Sequence, residues 1–267
     1  MHACGKRSTQ GRATVHLLII DAMNLIRRVY AAVESSELAA DATMTRALAI
    51  IHGAASRCGA THWAMVFEEP CETWRHKLWP EYKANRQPMP EALRRVLPDI
   101  RRYLEVNGMH CFNVEGWEAD DVVATLAVKS AKAGLEVTIL STDKGFCQLV
   151  SPEVRVLNHF DRVLWDETRV SERWGFTPDA LPDFWALTGD QTNHLPGVAG
   201  IGVKGAGQVL DAAGSLDRAL AWPKLVPARY QAALEEEARV ALMTRELARL
   251  RRDVPLGMRL SALRAPR

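Results

Sequence analysis

Three short apolar runs, each closed by a carboxylate, constrain this chain more than any other feature. Residues 15–20 (VHLLII) lead to Asp21, residues 63–67 (WAMVF) to Glu68 and Glu69, and residues 135–140 (LEVTIL) to Ser141, Thr142 and Asp143. The first run, continuously apolar toward its end, reads as a strand buried on both faces, the pattern of a parallel sheet, and the other two read as further strands. The stretches 41–57, 91–107 and 117–133 carry helical spacing; in the second, Leu93, Val96, Leu97, Ile100 and Leu104 share one face. This alternation predicts an α/β fold, a mostly parallel sheet with helices on both faces. Ligands of such sheets gather at the carboxyl ends of the strands. An acid repeated there points to a site, although Asp21 alone could equally be a helix N-cap.

A second acidic group, Glu118, Asp120 and Asp121, falls where the 117–133 helix begins. Unpaired N–H groups and the helix dipole favour negative charge at that position, so an isolated E-x-D-D reads as a charged first turn. Together with Asp21, Glu68 and Asp143 the same acids read as a site for hard divalent cations.

Residues 74–90 (WRHKLWPEYKANRQPMP) alternate cations with Trp and Tyr, and their prolines argue against one continuous helix. Lys and Arg neutralise phosphates while aromatic faces stack on unpaired bases; the alternative is a solvated loop with its aromatics in the core. After residue 150 the character changes. Residues 154–165 read as a hairpin or edge strands, and from Pro178 onward the pattern is helical, ending in a helix or helix pair at 228–252 whose many Arg residues read mainly as a solvated face. Gly197, Gly200 and Gly202 make a tight turn before a helix, with Lys204 beside it, where backbone can approach a phosphate closely.

Composition sets the limits. Of 267 residues, 48% are hydrophobic and 25% charged, as in an ordinary soluble globular protein. The net charge of +2 exerts no global pull on a polyanion, so any nucleic-acid site must come from local clustering. Five cysteines without a CxxC pair fit a reduced cytoplasmic protein with no zinc site. Residues 1–14 are polar and basic, which predicts a disordered tail or extended start rather than a signal peptide. No apolar run approaches membrane-spanning length.

The segments HLLIIDAMNL (16–25), YKANR (82–86), EADD (118–121), STDKG (141–145) and PGVAGIG (196–202), in that order, resemble the bacterial 5′-nuclease (flap endonuclease) family over nearly the whole chain from Val15. The resemblance implies a PIN-like nuclease core at 15–175 with a short arch at about 70–95, followed at 176–267 by a helical helix–three-turn–helix (helix-hairpin-helix type) DNA-binding region. It implies Mg²⁺- or Mn²⁺-dependent cleavage of DNA near the junction of a 5′ single strand and duplex; the cysteine pattern places the protein in the cytoplasm, and a monomer is assumed. Its first metal group maps onto Asp21, Glu68, Glu118, Asp120 and Asp121, and its second onto Asp143 and Asp190. Lys83 and Arg86, with Tyr82, match the arch residues that steer the scissile phosphate, and Asp120 joins Lys83 and Arg86 in the catalytic set. A K⁺ ion is implied at the carbonyls of Leu187, Thr188, Pro196, Val198 and Ile201, with DNA contacts at Gly200, Ile201, Gly202, Val203, Lys204 and Gly205.

Three departures stand out. Glu68 replaces the usual Asp, while Gly145 and Asn193 replace acids of the second group. The expectation is therefore one well-formed Mg²⁺ site and a weak or absent second. Gly145 and Asn193 also leave room for a junction-binding protein that has lost most catalysis. A PIN-type ribonuclease explains the acids but not the glycine turn followed by Lys204.

Overall fold

In the computed structural model, which describes residues 15–69 and 71–265, the apolar runs are strands of one sheet. They are β1 (His16–Asp21), β2 (His62–Val66), β3 (Cys111–Phe112), β4 (Glu136–Leu140), β5 (Val154–Asn158) and β6 (Val163–Trp165). The order across the sheet is β3-β2-β1-β4-β5-β6, and every neighbouring pair is parallel except the β5–β6 hairpin. The direction of strand addition reverses between β1 and β4, and a crevice opens outside the carboxyl ends of the strands at such a switch point. Ile20 pairs with Leu140, which sets Asp21 beside Ser141 at that reversal.

On one side run α1 (Ala22–Ala31), α2 (Ala39–Cys58) and, after the short α3 (Trp74–Leu78), α4 (Glu91–Val106). They cover Leu18, Ile20, Trp63 and Met65. On the other side α5 (Ala119–Lys132) packs on Leu17, Ile19, Val137 and Ile139. Alternate residues of β1 thus feed two cores, and all four of its central side chains are fully buried, so the run could not alternate with polar residues. Asp21 also accepts the Asn24 amide as the N-cap of α1. The cap and site readings of this residue are compatible.

The second half holds α6 (Glu167–Trp174), α7 (Leu181–Thr188), α8 (Val203–Ala213), α9 (Leu216–Ala221), α10 (Ala228–Glu236) and α11 (Ala238–Ala248). Apart from α6 these helices enclose their own core, with Phe184, Leu187, Val198, Ile201 and Leu210 at its centre. A small cluster of Tyr82, Leu195 and Leu247 joins that region to residues 74–86.

Several expectations change in detail. Residues 109–114 (MHCFNV), which by sequence read as a short strand, pair with the sheet at only two residues. Helix α6 was not expected, although Asp166 caps its start and Gly175, at φ +82°, ends it. Residues 249–265 leave α11 and return along α5, where the Val254 amide donates to Thr125 Oγ1 and Lys129 Nζ to the Val254 carbonyl. The 1–14 tail lies outside the described residues.

Candidate metal centre and arch

The carboxyl edge of the sheet is built by side chains stitching neighbouring strand ends together. Asp21 is 6% exposed; its Oδ1 accepts the Asn24 amide at 3.2 Å and its Oδ2 the Ser141 hydroxyl at 2.8 Å. The same Ser141 oxygen accepts the Asp143 amide at 3.0 Å. Asn24 Oδ1 in turn accepts both the amide and the hydroxyl of Thr142 at 3.0 Å. Asp143 Oδ1 accepts the Gly145 amide at 2.7 Å. From β2, Glu68 reaches the Ala119 amide at 3.3 Å, bringing that strand end to the start of α5.

These acids share one electrostatic field. Burial pushes Asp21 up to about 7, with Asp120 and Asp143 adding repulsion against the bonds from Ser141 and Asn24. Burial likewise raises Glu68 to about 8; Lys83 pulls it back while Asp120 and Glu118 push it further. Asp143 is raised by burial and then by Asp120. The cation among them is Lys83, whose Nζ lies 3.1 Å from Glu118 Oε2 and 3.4 Å from Asp120 Oδ2. Burial alone would lower its pKa, but Asp120 and the neighbouring acids hold it well above the usual value. Its backbone is held in the left-handed region at φ +58°, a conformation that costs a non-glycine residue about 1–3 kcal/mol. Crowded carboxylate oxygens with Lys83 as counter-charge are the donor chemistry of a hard divalent cation, and these residues fit one. Among the described residues no three acids, histidines or cysteines close on a common point; Lys83 stands between Glu118 and Asp120.

Asp121 takes a different place from the one expected. It is fully buried, and its oxygens accept from Arg75 Nη1 and Nη2 at 2.8 Å, Trp74 Nε1 at 3.1 Å and the Arg251 amide at 2.9 Å. Four donors fill the four lone-pair sites of a carboxylate, so Asp121 is an anchor and not a metal ligand. Successive residues of a helix point about 100° apart, which is why Asp120 faces the acids and Asp121 turns away. Glu118, 1% exposed, sits between the two roles. Its Oε1 accepts from Thr73 and its Oε2 from Arg75, Tyr82 and Lys83. Burial would raise it, but Lys83 and Arg75 outweigh that and leave it below the usual carboxylate range.

Arg75 is the residue that sequence reasoning missed. Only 1% exposed, it also donates to the carbonyls of Leu247 at 2.8 Å and Arg249 at 3.0 Å. It thereby ties residues 74–86, the start of α5 and the end of α11 into one knot. No local signal marks it, because its partners lie 43 to 174 residues away.

The arch rests on the α7–α8 connection. The Lys83 amide donates to the Asn193 carbonyl at 2.9 Å, Asn85 Nδ2 to the Gln191 carbonyl at 2.7 Å, and Arg86 Nη2 to Asn193 Oδ1 at 2.6 Å. Asn193 Nδ2 donates to Asp190 Oδ2 at 2.6 Å. Asp190 thus reaches the arch only through Asn193, while Asp143 repels Asp21 and is itself raised by Asp120. A base-stacking role for Tyr82 is corrected: it is 5% exposed and its hydroxyl donates to Glu118 at 3.1 Å.

In the glycine turn, a Cβ at Gly189 would lie 2.7 Å from the Leu195 carbonyl oxygen and one at Gly197 2.6 Å from that of Leu187. Only glycine lets these two segments meet. Of the five carbonyls expected to hold K⁺, that of Leu187 accepts the Val198 amide, that of Val198 the Ile201 amide, and that of Pro196 the Thr244 hydroxyl at 2.6 Å. The Thr188 hydroxyl lies within hydrogen-bond reach of the Phe184 and Gly189 carbonyls, at 3.1 and 2.9 Å. Helix α8 starts at Gly202 with no side-chain cap, and Gly200, Gly202, Val203 and Lys204 are exposed there. Ile201 and Gly205 are buried; a Cβ at Gly205 would meet Tyr230. Their side-chain positions serve packing rather than DNA contact.

With this geometry in hand, the sequence defines the class. Residues 16–175 match the 5′-3′ exonuclease N-terminal resolvase-like domain and residues 176–267 the 5′-3′ exonuclease C-terminal SAM fold, and the chain belongs to this 5′-3′ exonuclease family. Among curated relatives it is 42% identical over 252 residues to flap endonuclease Xni of Photorhabdus laumondii, covering 94% of this chain and 98% of that protein. Flap endonuclease Xni of Klebsiella pneumoniae is also 42% identical, over 95% of this chain and 99% of its own. The resemblance expected from the motifs extends to this Xni branch. Among solved structures, a zinc-bound T5 5′-exonuclease superimposes with a TM-score of 0.76 at 21% identity, over 87% of this chain and 89% of its own. The catalytic core of Rad2 in complex with a DNA substrate gives 0.56 at 12% identity, over 91% and 80%. These likenesses show the fold: a PIN-like core with a helical C-terminal region.

Proposed function

We propose that this chain is a Mg²⁺- or Mn²⁺-dependent DNA nuclease that hydrolyses phosphodiesters at single-strand/duplex junctions, a 5′-flap endonuclease with 5′-3′ exonuclease action. The observation that carries this reading is Lys83: a buried ammonium on the arch, in a left-handed backbone, paired with Glu118 and Asp120 at the acidic sheet edge. The relatives' name, flap endonuclease, supports it. In this reading Asp21, Glu68, Asp120 and Asp143 hold one divalent cation, and Glu118 joins them through the Oε2 site that Lys83 gives up when it turns to a phosphate. Once bound, such a cation orients a phosphate and lowers the pKa of an attacking water. Lys83 exchanges its carboxylate partners for phosphate oxygens and, with Arg86, offsets charge developing there. Gly200, Gly202, Val203 and Lys204 meet the duplex backbone at the free N–H groups of α8, near a K⁺ held by the turn carbonyls. The protein acts as a cytoplasmic monomer; among the described residues no helix is long and apolar enough to cross a membrane.

The test compares a labelled 5′-flap duplex, a blunt duplex and single-stranded RNA, each with Mg²⁺ and with Mn²⁺. Cutting confined to the flap near its junction is the expected result; RNA cut in preference would overturn the assignment. The second reading, a junction-binding protein with little catalysis, is favoured by one observation: Asp190 is engaged with Asn193, which in turn accepts from Arg86, and Gly145 offers Asp143 only its amide. Tight flap binding without cutting in either metal would select it.

A further inference from the structure

The rim of the acidic edge carries an aromatic side chain that the proposed chemistry does not use. Phe160 is 70% exposed in the turn between β5 and β6. Its presentation is built rather than accidental. Asn158, itself 7% exposed, accepts the amides of Phe160 at 2.9 Å and Asp161 at 3.0 Å on Oδ1 and donates from Nδ2 to Asp161 at 3.0 Å. One face of the ring is backed by a cation: the Arg28 guanidinium carbon lies 5.5 Å from the ring centroid. The neighbouring His159 ring has no partner for either nitrogen. Burial, and then Arg28, hold its pKa down at about 4, so the charge beneath the platform comes from Arg28.

Position gives this platform an occupant. Leu140 pairs with Leu157 and the Ser141 amide donates to the Leu157 carbonyl, so Asp21, Ser141 and Asn158 form a row across β1, β4 and β5. Strands lie about 4.8 Å apart, which puts the turn roughly 10 Å from Asp21. Arg28 follows Asn24 by four residues along α1, about 6 Å further from the acids. The other border is the arch: Arg27 donates to the carbonyl of Gln87 at 3.0 Å, one residue after Arg86. A strand whose phosphate lay among Lys83, Arg86 and the acids would pass Arg28 within one or two nucleotides. An exposed aromatic face beside a cation is what an unpaired base stacks on, whatever its identity.

We propose that the free face of Phe160, backed by Arg28, is a stacking platform for one unpaired base of the DNA strand that runs past the arch. This rests on the nuclease reading above only for the kind of ligand, and the test separates the two. Equilibrium binding and cleavage are measured for the wild type, Phe160→Ala and Phe160→Trp on 5′-flap duplexes in which single unpaired positions are replaced, one at a time, by abasic sites. The expected result is about 5- to 100-fold weaker flap binding for Phe160→Ala, near wild-type binding for Phe160→Trp, and unchanged binding to blunt duplex. One abasic position should weaken the wild type equally and add nothing to Phe160→Ala, the signature of a direct contact. Because the ring is exposed, the variants should unfold at the wild-type temperature. Cleavage with no Phe160→Ala effect, or abasic losses that add to it at every position, would overturn the platform alone. Binding without cleavage by the wild type would overturn the nuclease reading and leave the stacking cycle readable.

Discussion

Replacing Arg75 with alanine tests whether the knot between arch, α5 and α11 is as central as its geometry implies. The guanidinium uses all five donors: two on Asp121, one shared onto Glu118, and two onto the carbonyls of Leu247 and Arg249. Its removal leaves Asp121, 0% exposed, with only Trp74 Nε1 and the Arg251 amide, while Glu118 keeps Lys83, Tyr82 and Thr73. Breaking a buried pair from one side costs about 3–5 kcal/mol, because an uncompensated charge stays inside. In a protein of this size that lowers Tm by about 10 °C. The assay is urea unfolding followed by circular dichroism, for Arg75→Ala alone and with Asp121→Asn. Neutralising the orphaned acid should return part of the loss, on the order of 1–2 kcal/mol. Arg75→Lys should fall between, since one ammonium cannot span a carboxylate and two carbonyls. A loss below about 1 kcal/mol for Arg75→Ala, or full additivity with Asp121→Asn, would refute the reasoning.

Lys83→Ala should slow single-turnover cleavage by about 10²–10³, while Lys83→Gly, equally inactive, should be the more stable of the two variants because φ +58° suits glycine; an Ala variant at least as stable as the Gly variant would contradict the strain. His159 should make folding sensitive to acid. Its folded pKa of about 4 lies below the free value of 6.5, so the unfolded chain binds more protons in that window, and stability is full above pH 6.5 and falls toward pH 4. The ring is part-exposed, so the fall is discounted to ~1–2 kcal/mol, and His159→Gln should flatten it in thermal melts from pH 4 to 7. Gly197→Ala would drive a Cβ to within 2.6 Å of the Leu187 carbonyl oxygen; it should cost roughly 2 kcal/mol or more and weaken duplex binding in a fluorescence titration.

The sheet edge was legible because the strands bury mostly apolar residues, with polar exceptions such as His16 and Thr138 paired to each other at 2.9 Å, so the acids Asp21, Glu68 and Asp143 stand out at the strand ends. The helical half was legible as helix, and the 228–252 segment divides at Glu237, where α10 ends. The arch was misread in an instructive way. Cations alternating with aromatics looked like a phosphate-and-base surface, yet Arg75 and Tyr82 are buried and only part of the segment faces outward. Burial of an arginine is decided by distant partners, here Asp121 and two carbonyls of the α11 end, and no local pattern encodes them. Asp121 carried a usable signal: adjacent helical residues diverge by about 100°, so Asp120 and Asp121 could not both face one ion. Residues 249–265 have no period because, apart from a single 3₁₀ turn at Leu260–Leu263, they are irregular and bond to α5 and the start of β2 one group at a time.

The most direct measurement is cleavage and binding of a 5′-flap duplex by the wild type and by Asp120→Ala in the presence of Mg²⁺. The account predicts cutting near the junction by the wild type, and no cutting by Asp120→Ala with flap binding retained. Equal cutting by both proteins, or binding by both with cutting by neither, would contradict the claim that this acidic edge is a metal-dependent nuclease centre.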